Sequence, residues 1–208
     1  MCVGRAACGG ALASVGAGWS TPGMRPLAEF SRTSDVLDAI NALVVEGGLR
    51  GPSQRQIAAV VRISPGTLVH EYGNRSEMLR RACVQAARDR VRIWNRRWSD
   101  RWHLAVPERR GPALLLPDHE QDLSHERQWA AWRELSRGDV AMLPGMGVAL
   151  EGERRAVEWA REQLGRERDE LATDALLALV TGVITRMVDT EDPWTLEHAS
   201  RVLESAWS

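Results

Sequence analysis

Three residues that commonly start helices follow one another closely in the first half of this 208-residue sequence. Ser53 and Gln56 have the spacing of a capping box, Ser64 directly precedes a proline, and Asn74 stands three residues before Glu77. The runs between these starts are too short for ordinary helix packing. Their spacing favours a helix-turn-helix, in which the second helix enters the major groove of DNA.

The chemistry that these helices offer is the recognition of phosphates and base edges. Helix N-termini attract phosphate, and the leading end of a recognition helix reaches base edges. Thr67 brings a hydroxyl and a methyl group, His70 a ring nitrogen, and Arg75 a guanidinium for phosphate. The residues predicted to contact DNA are Ser53, Arg55, Ser64, Pro65, Gly66, Thr67, Val69, His70 and Arg75. As an alternative, the serines serve only as caps, and Gly66 only lets helices cross closely.

Tryptophan supplies a second candidate site. Of the nine Trp residues, several recur at helical spacing on a long helix and on the helix that follows it. A flat apolar molecule suits a cavity lined by indole rings, although Trp at this spacing also fills closed cores. The predicted ligand-binding residues are Trp98, Trp102, Trp129 and Trp132.

Metal and catalytic chemistry have weaker support. The run Asp118, His119, Glu120, Asp122 and His125 offers ligand pairs three residues apart, but acids in a first helical turn also complement the helix dipole. The sequence contains no nucleophile elbow and no Gly-rich phosphate loop. We therefore expect no catalytic residue, no metal and no cofactor.

Apolar residues recur with helical period throughout the chain, and no alternating strand pattern is present, so the predicted fold class is all-α. A short connection is expected between Leu104 and Pro117, and a break between Gly138 and Gly147. The predicted helices are Asp35–Glu46, Gln54–Val61, Pro65–Tyr72, Arg75–Arg101, Asp118–Arg137, Val148–Leu164, Arg168–Val188 and a last one starting at Asp192-Pro193.

Three regions follow from this reading. Residues 1–30 are Gly-rich and aperiodic, which predicts a disordered tail that the fold does not require, with Met24 as an alternative start. Residues 31–79 form a three-helix, helix-turn-helix DNA-binding domain. Residues 80–208 form a helical ligand-binding and dimerisation domain.

The net charge of −1 conceals a separation of charge along the chain. From Arg50 to Arg101 there are 12 Arg and four acids, which gives +8, whereas from Glu108 onward there are 12 Arg and 20 acids, which gives −8. This separation indicates a polyanion-binding part next to a part that avoids polyanions. The three cysteines show neither pairing nor metal spacing, which favours a reducing, cytoplasmic compartment, and no membrane span is expected.

The stretch LVVEGGLRGPSQRQIAAVVRISPGTLVHEYGNRSEML resembles the DNA-binding domain of the tetracycline-repressor (TetR) family. The matching elements are the helix-ending Gly47, Gln56-Ile57-Ala58, the run 63–68, Tyr72 as the closing aromatic, and Arg75 with Glu77 and Leu79. The sequence departs from the family pattern in having Val69 for the usual Tyr, Glu71 for the usual His, and Arg75 for the usual Lys.

The resemblance implies a ligand-responsive repressor that binds a palindromic operator in double-stranded DNA as a homodimer and responds to a small apolar effector. By the same resemblance, the helices 168–188 and 193–207 pack against their copies in the partner. The small residues Ala175, Ala178 and Gly182 would allow them to cross closely. The alternative is a helical small-molecule-binding protein or an enzyme whose helix-turn-helix is vestigial.

Overall fold

The structure is a computed structural model that describes residues 27–106, 110–188 and 191–207. Within these ranges the chain forms eight α-helices and three short 3-10 turns without any β-strand, so the predicted all-α class is confirmed. The helices are α1 Leu27–Gly47, α2 Gln54–Val61, α3 Pro65–Tyr72, α4 Arg75–Leu104, α5 Glu120–Gly138, α6 Leu143–Gln163, α7 Glu170–Val188 and α8 Leu196–Trp207.

Helices α2 and α3 begin and end at the predicted residues because their caps form. Ser53 and Gln56 complete the reciprocal capping box, and Ser64 Oγ accepts the backbone N–H of Thr67 at 3.0 Å. Between the two helices, Arg62 adopts a left-handed conformation with φ 56°, and Ile63 N–H donates to the Ala58 carbonyl. This turn redirects the chain within a few residues and produces the helix-turn-helix.

Helix α1 starts earlier than predicted. The apolar period places its start at Asp35, whereas the helix begins at Leu27 and so includes the last residues of the predicted tail. Of the eight added residues, Leu27, Ala28, Glu29 and Arg32 are strong helix formers, which favours continuation of the helix beyond its apolar stripe. The rest of the predicted tail, residues 1–26, lies outside the described residues.

The predicted break up to Gly147 is wrong, because α6 already begins at Leu143 with Pro144 in its first turn. Gly145 and Gly152 are places where α6 lies directly on α4. A Cβ at Gly145 would lie 2.4 Å from Cys83 Sγ, and one at Gly152 would lie 2.1 Å from Val91 Cγ2. The last helix also differs from the prediction, since α8 starts at Leu196.

Two apolar cores hold the helices together. The first extends from α1, α2 and α3 through the N-terminal half of α4 to Trp129, Trp132 and Leu135 of α5, and so crosses residue 80 without interruption. The second joins the C-terminal half of α4, including Trp94 and Trp98, to α6, α7 and α8. Helix α4 therefore belongs to both cores and connects the helix-turn-helix to the C-terminal helices.

One described helix, α7, is long and apolar enough to cross a membrane by length and composition alone. Seven of its residues, from Thr173 to Met187, are buried inside the protein. Core helices commonly meet the same criterion, so this finding is weak evidence for a membrane span.

Candidate functional site

Helix α3 presents almost its whole surface to solvent. Only Leu68 and Tyr72 are buried, and they anchor the helix on the first core. The predicted contact residues of this helix are all exposed: Pro65, Gly66, Thr67, Val69 and His70. Glu71, one of the departures from the family pattern, is exposed as well, so its carboxylate adds negative charge at the end of this face.

The leading end of α3 is held rigidly. Ser64 Oγ lies 2.8 Å from Thr67 Oγ1, so the cap and the threonine hydroxyl share a hydrogen bond. A Cβ built at Gly66 would meet only Ser64 Oγ, at 3.8 Å, within 4 Å. No helix crosses at Gly66, so the alternative that it serves helix crossing has no support among the described residues, and the backbone there remains open to a partner.

Arg75 has an intramolecular role that the sequence did not reveal. Its Nε donates to the Pro52 carbonyl at 2.9 Å, and one terminal nitrogen donates to the Arg50 carbonyl. Arg75 thus fixes the segment that leads into the Ser53 cap of α2. Phosphate contact by Arg75 stays a prediction, and it would have to use the guanidinium donors that these two bonds leave over.

The basic block is not one continuous surface. In the part of the chain that the structure describes, no carboxylate lies within ion-pair distance of Arg50, Arg55 or Arg62, and all three are exposed around the helix-turn-helix. Arg80 and Arg81 instead pair with Glu77, and their hydrogen bonds lower the pKa of Glu77 to about 2. Around the helix-turn-helix, the charge available to a polyanion is therefore concentrated on Arg50, Arg55 and Arg62.

Farther along α4, the basic block is neutralised by the acidic block. Arg90 is buried between Glu126 of α5 and Glu153 of α6, and it forms an ion pair with each. Arg97 bonds Asp122 at 2.9 Å and Glu126 at 3.3 Å. Part of the charge separation seen in the sequence is thus an internal seam between α4, α5 and α6.

The seam keeps its carboxylates ionised. Burial alone would raise the pKa of Glu126, but the guanidiniums of Arg90 and Arg97 outweigh it and hold that pKa below its ordinary value. Trp94 Nε1 donates to the same carboxylate at 3.2 Å. No local signal in the sequence identifies the partners of Arg90, because they lie 36 and 63 residues away along the chain.

The four predicted ligand-binding tryptophans do not surround one cavity. Trp129 and Trp132 belong to the first core, whereas Trp98 belongs to the second, with Trp102 packed against it. Trp98 stacks on Trp102 at a centroid distance of 5.3 Å, and Trp132 is fully buried. Between α4 and α5, Trp129 and Trp132 line only a small cavity of about 10 Å³ beside Arg90 and Glu126, and Trp98 and Trp102 do not line it.

A groove of about 680 Å³ lies instead between α5, α6 and α7, and Trp129 is the only predicted ligand-binding residue that lines it. Its volume suits a small organic ligand. The apolar lining includes Met146, Ala149, Leu150, Leu177, Ala178 and Gly182, and the charged lining is Arg133, Glu153, Arg154 and Asp174.

The acidic run at the start of α5 does not gather around one point. Among the described residues no group of His, Cys, Asp and Glu has metal-binding geometry. Asp118 pairs with Arg101, Glu120 with Arg127, and Asp122 with Arg97. These acids thus bind arginines, as the helix-dipole interpretation also permits.

No protein-family model matches the sequence, and no curated protein is significantly similar to it. Solved structures do match the fold. A transcriptional regulator from Rhodococcus sp. Rha1 has a TM-score of 0.64 at 22% identity, over 84% of this chain and 94% of its own. A member of the TetR family from Streptomyces coelicolor A3 has a TM-score of 0.60 at 21% identity, over 84% of this chain and 96% of its own.

The multidrug binding protein EbrR, complexed with ethidium, has a TM-score of 0.60 at 20% identity, over 84% of this chain and 96% of its own. The alignment with this chain covers at least 94% of each of these three structures. The chain therefore has the fold of the TetR-family regulators, with an N-terminal helix-turn-helix followed by a helical C-terminal part. The resemblance drawn from the sequence is confirmed for the fold.

Proposed function

We propose that the protein is a DNA-binding transcriptional regulator of the TetR family, a repressor that binds a palindromic duplex as a homodimer. The observation that carries the proposal is the outer face of α3. Thr67, Val69 and His70 are exposed there and contribute nothing to the core, while Leu68 and Tyr72 fix the helix from behind. A helix that is anchored from behind and leaves its outer face free is the element that reads base edges in the major groove.

The surroundings of α3 supply phosphate contacts. Arg50, Arg55 and Arg62 flank the helix-turn-helix, and the N-terminus of α2 at Ser53 adds a partial positive charge. In this proposal residues 31–79 bind DNA and residues 80–208 bind the effector and the partner subunit. Effector control requires only that the ligand bind one spacing of the two reading heads better than the other.

The experiment is selection of bound fragments from random duplex DNA, followed by titration of the selected site at several salt concentrations. Arg55→Ala should weaken binding to all sequences and reduce the salt slope by about one. Thr67→Ala and His70→Ala should change which sequence is preferred, because they remove base contacts and leave the core intact.

The matched control is Arg88→Ala. Arg88 is also exposed without an ion pair among the described residues, but it lies 13 residues beyond Arg75 on α4, about 20 Å along the helix. This variant should bind DNA like the wild type. A folded protein that selects no sequence and shows no salt-dependent duplex binding would overturn the proposal.

A further inference from the structure

The groove between α5, α6 and α7 carries an unbalanced charge at one end. Arg133 of α5 lines it, and its single hydrogen bond within the described residues goes to Thr185 Oγ1 at 3.4 Å. No carboxylate of the described chain lies within ion-pair distance of this guanidinium. Most of its five N–H donors therefore point to no protein acceptor.

The other charges of the groove are compensated. Glu153 at its base already accepts the Nε–H of Arg90, which is itself buried against that carboxylate. At the far end, Arg154 lies 3.5 Å from Asp174, 3.6 Å from Glu158 and 3.9 Å from Glu170. Of these carboxylates only Asp174 lines the groove, so Arg154 and Asp174 compensate each other there, and Arg133 is the charged lining residue without an ion pair among the described residues.

Between the two ends, the wall is apolar. Met146, Ala149 and Leu150 of α6 face Leu177, Ala178 and Gly182 of α7, and the ring of Trp129 closes the α5 side. Leu150 is 59% exposed, so this part of the apolar wall is open to a ligand. An apolar body with one anionic group matches this arrangement in both shape and charge.

We propose that this groove binds an amphipathic organic anion, whose carboxylate or similar group pairs with Arg133 while its apolar body lies along Leu150 and Leu177. The assignment rests on the proposed function, because it names the chemical class of the effector. The assignment also links the ligand to the rest of the fold. Glu153 lines the groove and pairs with Arg90, so a ligand in the groove lies next to the ion-pair seam between α4, α5 and α6. Charge complementarity favours an anion over a cation, since a cation would compete with Arg90 for Glu153.

Calorimetric titration of the full chain, without DNA, tests the assignment with two probes of equal chain length. Decanoate should bind, and decyltrimethylammonium should bind at least tenfold more weakly, since a hydrogen-bonded charge pair contributes about that factor or more. Arg133→Gln should weaken decanoate about tenfold or more. Arg137→Gln is the matched control, because Arg137 lies one turn away on α5, pairs with Glu134 and does not line the groove.

A second variant provides an independent test in case Arg133→Gln alters the folding of the protein. Leu150→Glu places a carboxylate on an already exposed wall position and should also weaken decanoate, without affecting the melting temperature. Equal or tighter binding of the cation would overturn the proposal, as would decanoate affinity that Arg133→Gln leaves unchanged. If decanoate does not bind and Arg133→Gln instead changes the mass measured by light scattering, a second copy of the chain occupies the groove and the proposal is wrong.

The outcome is separable from the proposed function. Decanoate binding at Arg133 without any effect on the selected duplex would support the groove and count against ligand-responsive regulation. Duplex binding in a protein that does not bind decanoate would support the regulator and overturn the groove assignment.

Discussion

Trp132 of α5 donates its indole N–H to Asn41 Oδ1 of α1 at 3.0 Å, inside the first core. The two residues are 91 positions apart, and both are buried. Because α1 packs on the helix-turn-helix and α5 borders the groove, this bond directly connects the elements on which the two sites lie. Helix α4 is therefore not the only structural connection between the groove and the helix-turn-helix.

The bond can be tested by comparing two tryptophans. Trp132→Phe leaves the Asn41 oxygen buried without its donor, whereas Trp98→Phe removes an indole N–H that has no partner among the described residues. Both changes keep an aromatic ring in the core. We expect Trp132→Phe to lower the free energy of unfolding by about 1–3 kcal/mol more than Trp98→Phe does.

Chemical denaturation of each variant gives this difference. The double change Trp132→Phe with Asn41→Leu removes both polar partners and should recover part of the loss, because an apolar pair leaves no unsatisfied group. Equal destabilisation by the two Trp→Phe changes would show that the hydrogen bond contributes nothing.

The contact between α4 and α6 predicts opposite effects at two glycines of one helix. Gly145→Ala places a methyl group 2.4 Å from Cys83 Sγ and 3.0 Å from the Cys83 backbone, which cannot rotate away. We expect a loss of about 1–3 kcal/mol from overpacking. Gly147→Ala meets nothing within 4 Å and should stabilise the protein by about 0.5–1 kcal/mol, since alanine loses less entropy in a helix.

Thermal unfolding distinguishes these outcomes by sign. A melting temperature that rises in Gly147→Ala and falls in Gly145→Ala supports the close approach of the two helices. If both variants shift in the same direction, α6 does not contact α4 at Gly145.

The buried seam predicts a large stability effect at Glu126. Glu126→Gln removes the carboxylate that Arg90 and Arg97 share, so each buried guanidinium loses one of its two carboxylate partners. Breaking a buried pair from one side costs about 3–5 kcal/mol. Glu134→Gln, in an exposed pair with Arg137, is the control and should cost less than about 1 kcal/mol.

The same carboxylate gives a pH dependence. Because Arg90 and Arg97 hold the pKa of Glu126 below its ordinary value of 4.5, its contribution to stability is complete above that pH. The contribution is lost as the pH falls through the lower pKa of the folded state. When the wild type is measured from pH 7 downward, its denaturation midpoint should begin to decrease once the pH is below about 4.5. The midpoint of Glu126→Gln should decrease less steeply over the same pH range. Parallel curves for the two proteins would contradict this.

Local signals in the sequence were enough to predict the helix-turn-helix. The caps at Ser53, Ser64 and Asn74 act within three residues of themselves, so α2 and α3 were predicted with the observed ends. The seam could not be predicted in this way, because Arg90 meets partners from two distant helices. The sequence charge pattern therefore overstated the basic surface.

Two other misreadings have a similar origin. The stretch from Gly138 to Gly147 was predicted as a break, because composition alone does not distinguish a helix-breaking glycine from one at which two helices lie close together, as at Gly145. The spacing of the tryptophans is also compatible with core packing, but it does not tell which core each one joins. Trp98 and Trp132 lie in different cores, because each core is built from helices that are distant in sequence.

The proposed dimer can be tested on α7. Leu171 is 79% exposed, and Ala175, Ala178 and Gly182 are exposed on the same helix, so α7 offers a partner an apolar surface of small residues. Leu179 is a poor position for the test because it is partly buried against the second core. Ala175 is better, since it is exposed and, unlike Gly182, does not line the groove between α5, α6 and α7.

Ala175→Arg should leave the monomer folded, because Ala175 is exposed, and should prevent close packing of two α7 helices through steric and charge repulsion. Gly138→Arg is the control, since it introduces the same residue at an exposed glycine of α5 with open space around it. Light scattering at micromolar concentration should give twice the monomer mass for the wild type and for Gly138→Arg, and the monomer mass for Ala175→Arg. The monomeric variant should also lose most of its affinity for a palindromic duplex while keeping weak binding to a half-site, because two reading heads no longer act on one site. A monomeric wild type, or a dimer that survives Ala175→Arg, would place the subunit contact elsewhere or exclude it.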